Sequence, residues 1–172
     1  MKDQITTNNA KQRLLALEKE YRNFKLERLN VPSHLPWLRQ IIQIIKGIRV
    51  DQMNARHETE LTEIITEIGG WPTAQEVGEE ASQAAFRIAL ESELRPKRQK
   101  RFIEVMKRTE GVNGDHLACV IDRFWVINHK IQMYGTHTGT NIFTGESFAF
   151  PFREPEKVDF LRAEIGLPPI QV

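Results

Sequence analysis

From residue 10 to residue 123 the apolar side chains of this 172-residue chain recur at spacings of three and four, and prolines and glycines punctuate the pattern. That period gathers side chains on one side of a helix, whereas a half-buried strand needs strict alternation, so most of the chain is committed to helix. Leu14, Leu17, Tyr21 and Phe24 make one narrow stripe on a helix over residues 10–29, which Pro32 and Pro36 end. A second helix is expected over 37–48. A third, over 51–68, carries Met53, His57, Leu61, Ile64, Ile65 and Ile68 on one side and closes at Gly69-Gly70. Thr73 and Glu76 have the form of a capping box that opens a fourth helix over 74–93, whose small residues Gly78, Ala81, Ser82, Ala84, Ala85 and Ala89 suit close packing. Pro96 fits the first turn of a fifth helix, and a sixth is expected over 115–123 after the break at Asn113-Gly114.

The period changes after Arg123. Residues 124–127 and 131–134, with the turn-like Asn128-His129-Lys130 between them, read as a β-hairpin. A second short pair is expected at 141–144 and 147–150 around Gly145-Glu146. A short helix over 155–165 then stops at Gly166, and Pro168-Pro169 forbids its continuation. The fold class is therefore mainly α (α+β): a compact helical domain with a small antiparallel β-hairpin element in the C-terminal third. Residues 1–49 are expected to form an N-terminal helical arm plus a core helix, and residues 50–172 the main domain.

Charge narrows the functional classes. The 24 Lys and Arg nearly cancel the 23 Asp and Glu, and a net charge of +1 argues against a bulk nucleic-acid binder. The sum hides segregation: seven basic residues and the single acid Glu104 fall between Arg95 and Arg108, against acidic stretches at 58–67 and 76–80. On the basic side of that helix no aromatic residues interleave for stacking on bases, so nucleic acid is not the expected partner. The most apolar stretch, residues 35–50, is interrupted by Arg39, Gln43, Lys46 and Arg49, and it falls short of the roughly 20 residues of a bilayer span. It is expected as a core helix. The N-terminus lacks the apolar stretch of a signal peptide, and the lone Cys119 permits no internal disulfide, so a cytoplasmic setting without membrane contact is expected.

No phosphate loop, nucleophile elbow or paired-cysteine motif is present, and no cofactor or metal is expected. His57 and Glu60 share a helix face as metal ligands can, but a surface ion pair explains them equally well. The polar cluster around residues 122–137 is more informative. If 131–137 is a strand, Gln132, Tyr134 and Thr136 point the same way and offer an amide, a phenol and a hydroxyl beside Asp122-Arg123. Such a set is a polar floor for a small ligand. The competing structural reading makes Asp122 and Arg123 an ion pair and leaves Tyr134 at the core edge.

Asp51-x-x-Asn54, Gly70-Trp71-Pro72-Thr73, Val77-Gly78, Ala84-Ala85-Phe86, Asp122-Arg123, Gln132-x-Tyr134-Gly135-Thr136 and the closing Val158-Asp159-Phe160-Leu161-Arg162-x-x-x-Gly166-Leu167-Pro168 follow one another in that order. Over about residues 50–170 the chain thereby resembles an uncharacterised bacterial family, domain of unknown function 6624. The resemblance implies an architecture and candidate positions, but no reaction. Two positions depart from the family pattern: Glu91 stands where a His is frequent, and His137 follows Tyr-Gly-Thr where Gln is common. Either could carry acid–base chemistry.

The expected function is a small-molecule-acting protein, a cofactor-free acid–base enzyme of unknown reaction. Glu91 or His137 would transfer protons, Arg123 would meet substrate negative charge, and Asp122 would orient Arg123. Gln132, Tyr134 and Thr136 would hydrogen-bond the substrate, joined by Asp51 and Asn54, whose plainer role is capping the third helix. The alternative is an interaction module without catalysis, pairing through the N-terminal helix as a homodimer and meeting an acidic partner with the basic helix at 95–108.

Overall fold

The computed structural model describes residues 4–27 and 36–170, so the expected chain stop at Pro32 lies outside the described residues. The chain divides into two compact units, residues 1–88 and 89–172. Helices dominate both, with one two-stranded antiparallel hairpin in the C-terminal third.

In the first unit, α1 (Gln4–Leu26) packs along α2 (Pro36–Ile68) and against the short α3 (Ala74–Val77). Two expected helices, 37–48 and 51–68, are one. Gly47 costs a helix only about 1 kcal/mol, and nothing else between Ile48 and Asp51 breaks the hydrogen-bond ladder. Asp51 and Asn54 are therefore mid-helix residues and cap nothing. The first half of α2 also departs from the expected core helix: Trp37, Ile41, Ile44, Ile45 and Ile48 are all exposed. The core is built instead from Ala10 and Leu14 of α1, Met53, Leu61, Ile64 and Ile68 of α2, and Trp71.

Charge stitches α1 to the second half of α2. Arg13 reaches Glu60 at 2.5 Å, Glu63 at 3.2 Å and Glu67 at 2.7 Å, which gives the acidic stretch at 58–67 its counterion. The expected fourth helix is split. Gly78, at φ 86°, divides α3 from α4 (Glu79–Leu90), and its carbonyl accepts from Ser82 N. Thr73 does precede α3, but its side chain makes no capping bond. Ala81, Ser82, Ala84, Ala85 and Ala89 are buried, as close packing requires.

In the second unit a 3-10 turn (Ser92–Leu94) leads into α5 (Pro96–Arg108), which packs on α6 (Gly114–His129) through Phe102, Ile103 and Met106 on one side and Leu117, Ala118 and Ile121 on the other. Asn113 caps α6 by accepting from Asp115 N and His116 N. The first expected hairpin is not formed, because α6 runs on through 124–129 and ends at Lys130 in the left-handed conformation (φ 59°). The second expected pair exists in a shifted register. β1 (Thr138–Thr140) faces β2 (Ser147–Ala149), with Gly139 opposite Phe148, while residues 141–146 form the loop. Asn141 Oδ1 accepts from Phe143 N and Thr144 N, which holds those residues in a turn and out of the strand. A 3-10 turn (Pro155–Lys157) and α7 (Val158–Glu164) follow, and Gly166 ends the helix at φ 75°.

Candidate functional site

Asp122 is completely buried on the third turn of α6, and its carboxylate is the organising group of the second unit. Oδ1 accepts from Met133 N at 2.7 Å and from Tyr134 N at 2.9 Å. Oδ2 accepts from Thr136 N and from Thr136 Oγ1, both at 2.9 Å. Four donors on one carboxylate satisfy its usual acceptor sites, and no ion pair to it is found among the described residues. The loop 131–137 is thus wrapped round a helix-borne charge and is not a strand. Only Gln132 takes part in strand-like pairing, in a single parallel bridge to Phe152.

The Gln132 side chain of the expected floor is also engaged within the protein. Gln132 is buried. Its Nε2 donates to the Phe150 carbonyl at 2.8 Å, and its Oε1 accepts from His137 N at 3.1 Å. Tyr134 is buried too, and burial followed by the charge of Asp122 pushes its phenol above the ordinary range. Arg162 of α7 clamps the same loop, donating from Nη1 to the Tyr134 carbonyl and from Nε to the Pro168 carbonyl, each at 2.5 Å. Asp159 accepts from Ile170 N at 2.9 Å, so the Gly-Leu-Pro segment is tied back to α7.

Thr136 connects this scaffold to the candidate chemistry. Its hydroxyl has one proton, and the carboxylate of Asp122 can only accept, so that proton points at Oδ2. The 2.9 Å contact between Thr136 Oγ1 and His137 Nδ1 then requires Nδ1 to carry a hydrogen and donate. A neutral His137 accordingly keeps its lone pair on Nε2. Burial lowers its pKa; the nearby Asp122 opposes that shift and Arg123 reinforces it. A half-buried imidazole held neutral, with its tautomer fixed through Thr136 by a buried carboxylate, is equipped to accept a proton.

Arg123 does not pair with Asp122. Among the described residues its ion-pair partner is Glu93 of the 3-10 turn, and its buried Nε has no hydrogen-bond partner. Glu91 is half-buried at the head of that turn, two residues before the glutamate that meets the arginine. Asp51 and Asn54 lie on α2 in the first unit.

Three contributors were given no role in the site from the sequence: Glu93, Arg162 and Cys119. The spacing of Cys119, one turn before Asp122 and Arg123 on α6, was the available signal for the last of these. Cys119 is half-buried, its thiol in hydrogen-bonding contact with Thr136, and burial pushes its pKa up. His57 and Glu60 do not act together. Buried His57 meets Glu20 at 3.1 Å, while Glu60 holds Arg13.

A helical body, a buried Asp that gathers a Gln-x-Tyr-Gly-Thr loop and an Arg that anchors a Gly-Leu-Pro tail define the class to which such a chain can be assigned. It belongs to the family of unknown function DUF6624, whose model matches residues 34–172. No curated protein and no solved structure matches it. No helix among the described residues is long and apolar enough to cross a membrane.

Proposed function

We propose that this protein is a cofactor-free acid–base enzyme acting on a small anionic molecule, with His137 as the proton-transfer group and Arg123 as the partner for substrate charge. The observation that carries the reading is the chain from His137 Nδ1 through Thr136 Oγ1 to Asp122 Oδ2. It fixes the ring, leaves Nε2 as the base and supplies a buried negative charge to stabilise the imidazolium formed on protonation. His137 is preferred to Glu91 because this chain fixes its ring. Arg123 is half-exposed, and a substrate carboxylate or phosphate could share its guanidinium with Glu93. Asp122, Thr136, Gln132 and Tyr134 become positioning residues in this reading, and Asp51 and Asn54 take no part.

The test is a ligand-observed NMR screen of small carboxylates and phosphate esters, followed by turnover assays on the binders. A substrate is expected to lose binding with Arg123→Ala, and to turn over about 100-fold or more slowly with His137→Asn at unchanged affinity. Full turnover by His137→Asn would overturn the assignment.

A second reading is favoured by one observation, the exposed stripe Trp37, Ile41, Ile44, Ile45 and Ile48 on α2. Monomers seldom leave so continuous an apolar face in water. In this reading a second copy covers it, and the module is a homodimer through the first half of α2. Light scattering would then give twice the chain mass for the native protein and the single mass for Ile44→Glu. A native monomer at high concentration removes this reading.

A further inference from the structure

The lysines of α5 have a second feature beside them that a merely solvated helix face does not explain. Between α5 and α6 lies a cleft of about 300 Å³, and its wall is closed by Met133 and Arg153 from the two segments joined at the Gln132–Phe152 bridge. Its interior is apolar: Ile103 and Ile121 are buried, and Phe124, Trp125 and Met133 are half-buried. Its rim is cationic. Lys100, Lys107 and Arg153 stand round the mouth against the single acid Glu104. Lys100 and Glu104 are four apart on α5, and Glu104 and Lys107 three, while Glu154 lies 3.8 Å from Arg153 Nε, so the mouth keeps one positive charge beyond those the two glutamates balance. Arg153 is held over the Trp125 ring at 4.6 Å, which fixes one cation at the edge of the apolar space.

We propose that this cleft binds an aromatic anion, its ring inserted among Ile103, Ile121, Phe124 and Met133 and its carboxylate or phosphate held by Lys100, Lys107 and Arg153. A volume near 300 Å³ is at the small end of ligand sites and accommodates a one- or two-ring body, not an extended chain. Apolar walls supply the affinity, and the excess of positive charge selects an anion over a neutral ring of the same shape. The site is distinct from His137, though Met133 of its wall lies on the loop that Asp122 holds: the cleft takes Ile121, Phe124 and Trp125 from α6, whereas the candidate acid–base site takes Asp122 and Arg123.

The test uses 1-naphthyl phosphate, 1-naphthoate and neutral 1-naphthol, titrated into the full chain by calorimetry and by tryptophan fluorescence. Both anions are expected to bind saturably and to quench Trp125, and naphthol to bind about tenfold or more weakly. The exposed double variant Lys100→Glu/Lys107→Glu, whose far-ultraviolet circular dichroism should be native, is expected to weaken anion binding about tenfold or more and to leave naphthol unaffected. Trp125→Phe should abolish the quench while the calorimetric heat persists. His137→Asn should bind both anions normally, which separates failure of this site from failure of the acid–base reading. The proposal is overturned by absence of saturable binding up to millimolar probe, by equal affinity for naphthol, or by undiminished anion binding in the folded double variant.

Discussion

At the scale of single residues, the strongest determinant in the C-terminal half is a carboxylate that meets no cation among the described residues. Asp122 accepts four hydrogen bonds from residues 133–136, and each of those donors would otherwise be left wanting in a largely dry site. Asp122→Asn tests this. One amide oxygen can still accept from Met133 and Tyr134, but the –NH2 that replaces Oδ2 would face two donors from Thr136. The expected loss is about 3 kcal/mol, the size associated with breaking a buried charged network, read as a lower urea midpoint. The same variant removes the charge that opposes burial at His137, so the His137 pKa should fall further below the ordinary histidine value in an NMR titration. A change below about 0.5 kcal/mol would mean that the loop holds its shape without the carboxylate.

Elements were legible where their period was long and unambiguous, and illegible where a short apolar run could serve either geometry. α5 was readable to within a residue, because Pro96 opens it and its buried face repeats cleanly. The run Phe124-Trp125-Val126-Ile127 looks like a strand taken alone, yet Ala118, Ile121, Trp125 and His129 continue the helical spacing, and Trp125 packs on His129 at 4.8 Å as i, i+4 neighbours do. The stop is Lys130 in a left-handed conformation, a role usually taken by glycine, so the sequence carried no punctuation there. The residues of the candidate site were mostly legible by identity, but their roles were not. Reading 131–137 as a strand put Gln132, Tyr134 and Thr136 on one face; in the irregular loop round Asp122 the Gln132 amide and the Thr136 hydroxyl bond within the protein, while Tyr134 contributes its backbone N–H and carbonyl. The start of α6 gives a prediction at this scale. A Cβ built on Gly114 would lie 2.0 Å from the carbonyl oxygen of Ile165, at the end of α7, and backbone cannot swing aside as a side chain does. Gly114→Ala is therefore expected to destabilise by about 2 kcal/mol or more despite alanine's better helix propensity, whereas Gly47→Ala, with open space around it, should be neutral or stabilising. Thermal melts of the two variants decide it, and equal midpoints would show that α7 yields.

For the molecule as a whole, the near-zero net charge conceals a dependence on pH that has one sign from neutrality downward. His57 is fully buried; burial lowers its pKa, Glu20 opposes that shift, and the Arg87 charge adds to it. Its bonds suit the neutral ring, with Nε2 donating to Glu20 at 3.1 Å and Nδ1 facing Arg87 Nη2 at 3.5 Å. His137 is lowered as well, chiefly by burial. In both cases the unfolded chain binds a proton more readily than the folded one. Stability is then complete above the ordinary histidine value of 6.5 and declines as pH falls below it toward the folded pKa. The carboxylates reinforce this lower down. Glu18 and Glu20 resist the upward push of burial because Arg87 and Arg22, and His57 and Arg56, hold them below 4.5, so their contribution is lost at still more acid pH. Urea midpoints should thus fall between pH 7 and pH 5, before any carboxylate contribution is lost. His57→Gln isolates the first step: the amide can donate to Glu20 and accept from Arg87 but cannot take up a proton. Its stability should decline less steeply below pH 6.5, by at most about 1.4 kcal/mol per pH unit, the limit for one proton, with little change at pH 8. A slope identical to the native protein's would mean that His57 is protonated in the folded state and that the Glu20–His57 pair is ionic.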